Sequence, residues 1–181
     1  VERHQFVPTA YQIQAYEDRP LPIGFDQTIS QPFIVAYMTA QLRPAPGDKI
    51  LEIGTGSGYQ AAILAEIVDE VYSIEIVREL GEQTKNRLKQ LGYHNLHVII
   101  GDGYQGLKEK APFDAIIITA AVKNIPQPLI QQLKEGGRMM VPVASASGSQ
   151  TLMLLEKRKN KLKTTALLPV RFVPFTRKKD F

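Results

Sequence analysis

The chain has 181 residues, 44% hydrophobic and 22% charged, with a net charge of +4 and no cysteine. That length supports one compact core, and the balance of residue types argues against long disorder. Without cysteine there is no disulfide, thiolate metal site or cysteine nucleophile, and no apolar run approaches the roughly 20 residues that a membrane helix requires.

Residues 1–30 are rich in turn formers, with Pro8, Pro20, Pro22 and Gly24 breaking any regular pattern. Ser30-Gln31-Pro32 reads as a helix start, with serine as the cap and proline in the first turn. Ile34, Met38 and Leu42 fall on one face of that helix, and Pro44 and Pro46 stop it. From Lys49 the pattern alternates. Strands are expected at Lys49 to Ile53, Val71 to Ile76, His97 to Ile100, Ala115 to Thr119 and Met139 to Val143. Helices fall between them, through Ala61, Leu64 and Ala65, through Leu80, Leu88 and Leu91, and from Pro128 to Leu133 with an end at Gly136-Gly137. Strand and helix in alternation imply right-handed βαβ units and a parallel sheet covered on both faces.

The last part changes character. Thr151 to Leu155 and Thr164 to Val173 flank Lys157-Arg158-Lys159, Asn160 and Lys161 with no helical segment between them. That predicts an antiparallel hairpin at one sheet edge, with the basic residues as its solvated tip. Arg177-Lys178-Lys179 reads as a second surface cluster and not as a nucleic-acid groove. One domain is expected over 1–181: a covering segment at 1–30, a cofactor-binding core at 49–143 and a C-terminal hairpin and tail at 150–181.

Open parallel sheets bind ligands beyond the C-terminal ends of their strands, and the polar residues of interest sit there. Glu52 precedes the loop Gly54-Thr55-Gly56-Ser57-Gly58. The spacing is GxGxG followed by Tyr59, so the third glycine of a dinucleotide fingerprint is missing. An acid before the loop would repel a pyrophosphate and welcome the ammonium of an amino-acid end. Glu75 ends the second strand at the spacing where a carboxylate grips ribose hydroxyls. Asp102, in Gly101-Asp102-Gly103, is placed to accept from an adenine amino group. Together these acids point to S-adenosylmethionine. His4, His94 and His97 lack metal-ligand spacing, are expected to be structural or solvent-facing, and no metal site is expected.

The chain resembles the protein-L-isoaspartate O-methyltransferase family. The matching segments are Leu21 to Gly24, Gln27 to Pro32, Leu51 to Ala62, Gly101 to Gly103, Ala111 to Ala121, Gln132 to Arg138 and Val170 to Pro174. The QTIS run and the terminal RFVP are the most specific of them. The resemblance implies a Rossmann-like, doubly wound, mostly parallel α/β sheet of seven strands, S-adenosylmethionine as methyl donor and S-adenosylhomocysteine as product. It implies isoaspartyl proteins and peptides as acceptors, and a methyl ester that collapses to a succinimide and reopens partly to aspartate. It places Ser30 at the reaction centre, closes Gly24 to Thr28 (with Phe25, Asp26, Gln27 and Thr28) over the cofactor, and brings Thr176 to it from the C-terminal side. Gly54, Gly56, Gly58 and Gly103 complete the expected cofactor set, with Glu52, Glu75 and Asp102.

The chain departs from the family pattern at Asp26, where many bacterial members have glycine, and at Ala144, which follows Val143. Aspartate tolerates positive φ, and its side chain is expected to face solvent, since an inward carboxylate would repel the acceptor. The family also carries a helical segment upstream of a start like Val1-Glu2-Arg3, so the resemblance leaves the packing of these residues open. Alternatives are a methyltransferase acting on a small molecule or RNA, a module that binds S-adenosylmethionine without catalysis, and a nicotinamide dehydrogenase disfavoured by the glycine spacing. A monomer is expected, with no nucleic-acid or membrane partner. The expected compartment is the cytoplasm, with periplasmic export left open because cysteine is absent and Val1 is not a methionine.

Overall fold

The structure, a computed structural model, describes residues 1–159 and 161–177. Seven strands form the main sheet: β3 (Lys49–Ile53), β4 (Glu70–Glu75), β5 (Leu96–Ile100), β6 (Phe113–Ile118), β7 (Leu133–Ala144), β8 (Gln150–Arg158) and β9 (Lys161–Val170). A separate hairpin joins β1 (Leu21–Gly24) to β2 (Gln27–Ile29). The helices are α1 (Pro32–Leu42), α2 (Tyr59–Ala65), α3 (Arg78–Gln90) and α4 (Gln127–Gln132).

The sheet order is β5-β4-β3-β6-β7-β8-β9. From β3 the chain winds outward through β4 to β5, then returns to place β6 on the other side of β3. Strand order therefore reverses beside β3, where a crevice opens beyond the strand ends. Strands β3 to β7 pair in parallel, and β8 and β9 add antiparallel as the expected hairpin.

Parallel strands with cover on both faces read as continuous apolar runs, and Ala115-Ile116-Ile117-Ile118 of β6 is buried throughout. Ile50, Val71, Ile117 and Met140 face one cluster with α1, α2 and α3, while Leu51, Ile53, Ile116, Met139 and Val141 face the other with Leu129 of α4. Leu80, Thr84 and Leu88 of α3 are buried at helical spacing and seat it on the sheet. Helix α1 ends where Arg43 turns left-handed (φ 54°), immediately before Pro44.

Three expectations need correction. The segment before residue 30 is more ordered than its turn formers imply: it holds short 3-10 turns at Arg3–Phe6 and Thr9–Gln14 and then the β1–β2 hairpin. Helix α4 ends at Gln132, and Gly136-Gly137 lies inside β7, where pairing with β6 shifts register between Phe113 and Ala115. A side chain on Gly137 would meet Asp114 O and Lys134 O at 2.8 Å, so these glycines serve a bulge and not a helix end. Ser30 does not cap α1: the cap position is Gln31, and Phe33 N donates instead to Asp18 Oδ1 at 2.9 Å.

The basic residues also divide. The Arg158 side chain is exposed at the hairpin tip, whereas Lys157 Nζ turns back to donate to Ile130 O (3.1 Å) and Leu133 O (2.7 Å) at the end of α4. Asn160 and Lys178-Lys179 lie outside the described residues. Among the described residues no helix is long and apolar enough to cross a membrane.

Candidate cofactor and acceptor site

The loop after β3 is pinned from several sides. Gly54 N donates to Ile74 O (2.8 Å), and Gly54 O accepts from Thr119 Oγ1 (2.6 Å) at the end of β6. Gly56 N donates to Glu75 Oε2 (2.8 Å), Thr84 Oγ1 to Gly56 O (2.6 Å), and Arg87 Nη1 to Ser57 O (3.0 Å). Gly54 has φ 96°, and a Cβ there would lie 2.4 Å from Thr119 Oγ1, so both conformation and space require glycine. Gly103 is needed for space alone, since a Cβ would lie 2.3 Å from Ile53 Cγ2. Gly58 faces Thr84 and Leu88 of α3, so it serves packing and does not line the crevice.

Gln27, Thr28, Gly54, Gly56, Glu75, Gly103 and Thr176 line one crevice with Thr119 and Val173-Pro174-Phe175. Glu75, 5% exposed, accepts from Gly56 N and from Val77 N (3.0 Å). A carboxylate offers about four lone-pair sites, so both oxygens keep capacity for ribose hydroxyls. Asp102 lines the adjoining hollow with Ile76, Val77 and Gly101. Its Oδ1 accepts from Tyr104 N (3.0 Å) and its Oδ2 from Arg177 Nε (2.8 Å), while the Arg177 guanidinium lies 3.7 Å over the Tyr104 ring. Arg177, read from sequence as part of a surface cluster, is therefore folded back onto the site.

Glu52 lies deeper. It is fully buried in a hollow with Thr28, Ser30, Gly54, Tyr59 and Thr119. Ser73 Oγ donates to its Oε2 and shares a second hydrogen bond with Thr55 Oγ1 (2.6 Å). Glu52 Oε1 has no partner among the described residues. Burial pushes its pKa up to about 8; the Ser73 hydrogen bond opposes the shift and nearby Glu75 adds to it. A buried carboxyl oxygen without a partner fits a site that takes an ammonium.

On the other side of Thr28 and Thr119 is a groove of about 400 Å³ lined by Ser30, Gln31, Ile34 and Arg171-Phe172-Val173. Ser30 lines both this groove and the Glu52 hollow, so the two spaces meet at this residue. Ser30 Oγ has no hydrogen-bond partner among the described residues, while its backbone O accepts from Arg3 Nη2 (3.0 Å).

Phe25 and Asp26 form the two-residue turn of the β1–β2 hairpin, with φ of 54° and 55°. Both side chains are exposed, and neither lines the crevice. Asp26 thus adopts the positive φ that its position demands and faces solvent. The histidines lie elsewhere: His4 bonds Tyr16 Oη (2.8 Å), His94 is exposed, and His97 stacks on Tyr72. Among the described residues no three potential ligands gather as a metal site.

Three further residues hold this region. Thr119 has a usable signal in the sequence, a polar residue after an apolar run at a parallel strand end. Arg3 and Asp18 carried none, because their roles depend on contacts with residues more than ten positions away.

A sequence model of the Protein-L-isoaspartate(D-aspartate) O-methyltransferase (PCMT) family matches residues 1–180. A protein-L-isoaspartate O-methyltransferase from Opitutus terrae is 57% identical over 179 residues, covering 99% of this chain and 77% of that protein. One from Gloeobacter violaceus is 56% identical, covering 99% of this chain and 87% of its own length. A solved protein-L-isoaspartate O-methyltransferase superposes with a TM-score of 0.90 at 33% identity; it covers 96% of this chain, which spans 58% of that one. A Plasmodium falciparum structure described as a putative protein-L-isoaspartate O-methyltransferase in complex with S-adenosyl-L-homocysteine gives 0.83 at 25% identity, over 97% of this chain and 86% of that one.

Proposed function

The chain belongs to the protein-L-isoaspartate(D-aspartate) O-methyltransferase family, and from that premise we infer that it methylates the free α-carboxylate of isoaspartyl residues in damaged proteins. The observation that carries the reading is the position of Ser30, which lines both the hollow holding Glu52 and the groove open to a peptide.

S-adenosylmethionine, when bound, supplies a methyl group on a sulfonium sulfur. Glu52 would hold its ammonium, Glu75 its ribose hydroxyls and Asp102 its adenine, with Gly54, Gly56 and Gly103 letting the backbone approach. Thr176 and the Gly24–Thr28 hairpin would cover it, Gln27 and Thr28 from the crevice wall and Phe25 and Asp26 from the turn above. An isoaspartyl acceptor exposes an α-carboxylate whose ordinary pKa is about 3.3 to 3.7, so it is already ionised at neutral pH and no general base is required. The site has to orient that oxygen and exclude water. A hydroxyl free of other partners suits the task, because Ser30 Oγ can donate to the carboxylate without taking a proton. Among the described residues Arg171 is the lone charged residue in the groove lining, which favours an anionic acceptor. The same proposal takes damaged proteins and peptides as partners and a cytoplasmic monomer as the acting form. Lys157 and Arg177 are engaged within the fold, which weakens the case for a basic nucleic-acid groove.

The test is methyl incorporation into an isoaspartyl peptide beside its aspartyl twin. Transfer to the first alone is expected. Equal rates on both, or transfer to RNA and to neither peptide, would overturn the assignment.

A further inference from the structure

Arg3 is 1% exposed, yet no carboxylate touches it among the described residues. It is held by three carbonyls. Its Nη1 donates to Ala15 O, and its Nη2 donates to Arg19 O (3.1 Å) and to Ser30 O (3.0 Å). Its Nε is buried without a hydrogen-bond partner among the described residues, and its guanidinium lies 5.9 Å from the centre of the Tyr59 ring. Desolvation by burial pulls its pKa down, with Arg19 adding to the shift and Tyr59 and then Asp18 opposing it. A buried cation without a touching anion is costly. General packing of the first residues would not require one, since Phe6 and Val7 already anchor them in the core.

Asp18 approaches the same corner from the outside. Its Oδ1 accepts from Phe33 N (2.9 Å), and its Oδ2 and backbone O accept from Gln31 Nε2 (3.0 Å each). On the N-terminal side, Ile29 is buried and pairs with Leu21 in the hairpin. The backbone is therefore fixed before, at and after Ser30, while Ser30 Oγ has no hydrogen-bond partner among the described residues. Because Asp18 serves the start of α1, the Ser30 hydroxyl is released from capping.

We propose that Arg3 and Asp18 are positioning residues, a clamp that holds the Ser30 corner so that its hydroxyl faces the acceptor carboxylate. A guanidinium is suited to the inner arm, because one planar fork reaches separate carbonyls that a compact ammonium cannot span in the same geometry. Its bonds to those carbonyls are charge-assisted, and such hydrogen bonds are stronger than neutral ones. Arg3 and Asp18 touch no reacting atom and act through Ser30. The proposal rests on the methyltransferase reading and on the place given there to Ser30.

The experiment is a double-mutant cycle on the full chain with an isoaspartyl peptide, comparing wild type, Ser30→Ala, Arg3→Lys and the double variant. Calorimetric titration with S-adenosylhomocysteine and circular dichroism accompany the kinetics. Arg3→Lys should lower kcat about tenfold in the wild-type background, since small misplacements of reacting groups carry penalties of this order or larger. In the Ser30→Ala background the same change should cost less than about twofold, because coupled residues are not additive. Peptide KM and S-adenosylhomocysteine affinity should each stay within about threefold, in contrast to a residue that binds ligand directly. An equal loss in both backgrounds, an unchanged kcat, or a parallel loss of S-adenosylhomocysteine affinity overturns the clamp. If Arg3→Lys does not regain the wild-type spectrum, Asp18→Ala in the same two backgrounds decides: a loss confined to the Ser30 background supports the clamp, and no loss or an equal loss removes it. Wild-type protein inactive on the isoaspartyl peptide would defeat the proposed function itself, whereas an active wild type with an indifferent Arg3→Lys defeats only the clamp.

Discussion

The loop from Gly54 to Gly58 and the corner around Ser30 share Thr28 and Thr119 as neighbours, but they are held by different means. The loop follows directly from a buried parallel strand and is fixed by adjoining strand ends, with Thr119, Glu75 and the backbone of Ile74 supplying the bonds. The corner follows a short two-stranded hairpin, and side chains from residues 3 and 18 hold it. The proposed cofactor side thus inherits its geometry from the sheet, and on that proposal one side chain dominates its affinity. The proposed acceptor side is assembled from remote contacts, so its sensitivity to substitution is expected to spread over residues that touch no substrate.

The largest effect is expected at Glu75, which would show how far the cofactor side depends on a single carboxylate. Glu75→Ala removes a candidate partner for two ribose hydroxyls and also frees the donors of Gly56 and Val77. Each charge-assisted hydrogen bond contributes about 1.5 to 3 kcal/mol, so the S-adenosylhomocysteine dissociation constant should rise by roughly 100-fold or more. Glu75→Gln, which keeps one acceptor oxygen, should fall between. A titration showing unchanged affinity for Glu75→Ala would remove Glu75 from the site and erase the contrast between the two sides.

The same contrast governs what could be read in advance. The succession of parallel strands β3 to β7 was legible because strands buried on both faces leave continuous apolar runs, as at Ala115 to Ile118. Glu52, Glu75 and Asp102 stand out as candidates because each lies within the final residues of a strand or just beyond one. The Gly136-Gly137 bulge was hidden, since glycine after an apolar helical segment has the same signature as a helix end. The Ser30 cap was misplaced for a related reason: serine before proline satisfies the local rule, but Asp18, reaching from the preceding segment, takes the Phe33 N–H. Arg3 was invisible because nothing in its neighbours signals burial of a cation. Local pattern reports strand ends well and reports long-range clamps hardly at all.

A smaller, pH-dependent effect belongs to Glu52 and separates binding from turnover. In the unfolded chain its carboxyl titrates near 4.5, and in the fold at about 8. Between these values the native state keeps a proton that the unfolded state has lost. Its contribution to stability is therefore full below the lower value and declines as pH rises toward the upper one. An ammonium bound against Glu52 reverses the preference and drives that proton off. S-adenosylhomocysteine binding should release close to one proton near pH 6.5 and strengthen roughly tenfold per pH unit below about pH 7.5. Turnover at saturation should stay nearly flat, because the acceptor needs no base. Calorimetry in buffers of different ionisation enthalpy measures the release, and Glu52→Gln should abolish it. Proton uptake, or a release that persists in Glu52→Gln, would place the ammonium elsewhere.

The smallest effect tests the division of labour at the start of α1, and it is read in stability. Losing a side-chain cap costs about 1 kcal/mol, which for a chain of this length moves Tm by roughly 2 to 4 °C. Because Phe33 N donates to Asp18, that loss should appear in Asp18→Ala. Ser30→Ala should leave Tm almost unmoved while lowering turnover, since its hydroxyl makes no hydrogen bond among the described residues that the methyl group would abandon. Melting curves of the two variants beside wild type, with and without S-adenosylhomocysteine, give the comparison directly. Adding the ligand should raise Tm by a similar amount in all three proteins, because neither side chain is assigned to the cofactor. A Tm loss in Ser30→Ala and none in Asp18→Ala would return the cap to Ser30. The serine would then have a structural duty competing with the acceptor carboxylate for its hydroxyl, and any fall in its turnover would no longer report positioning alone.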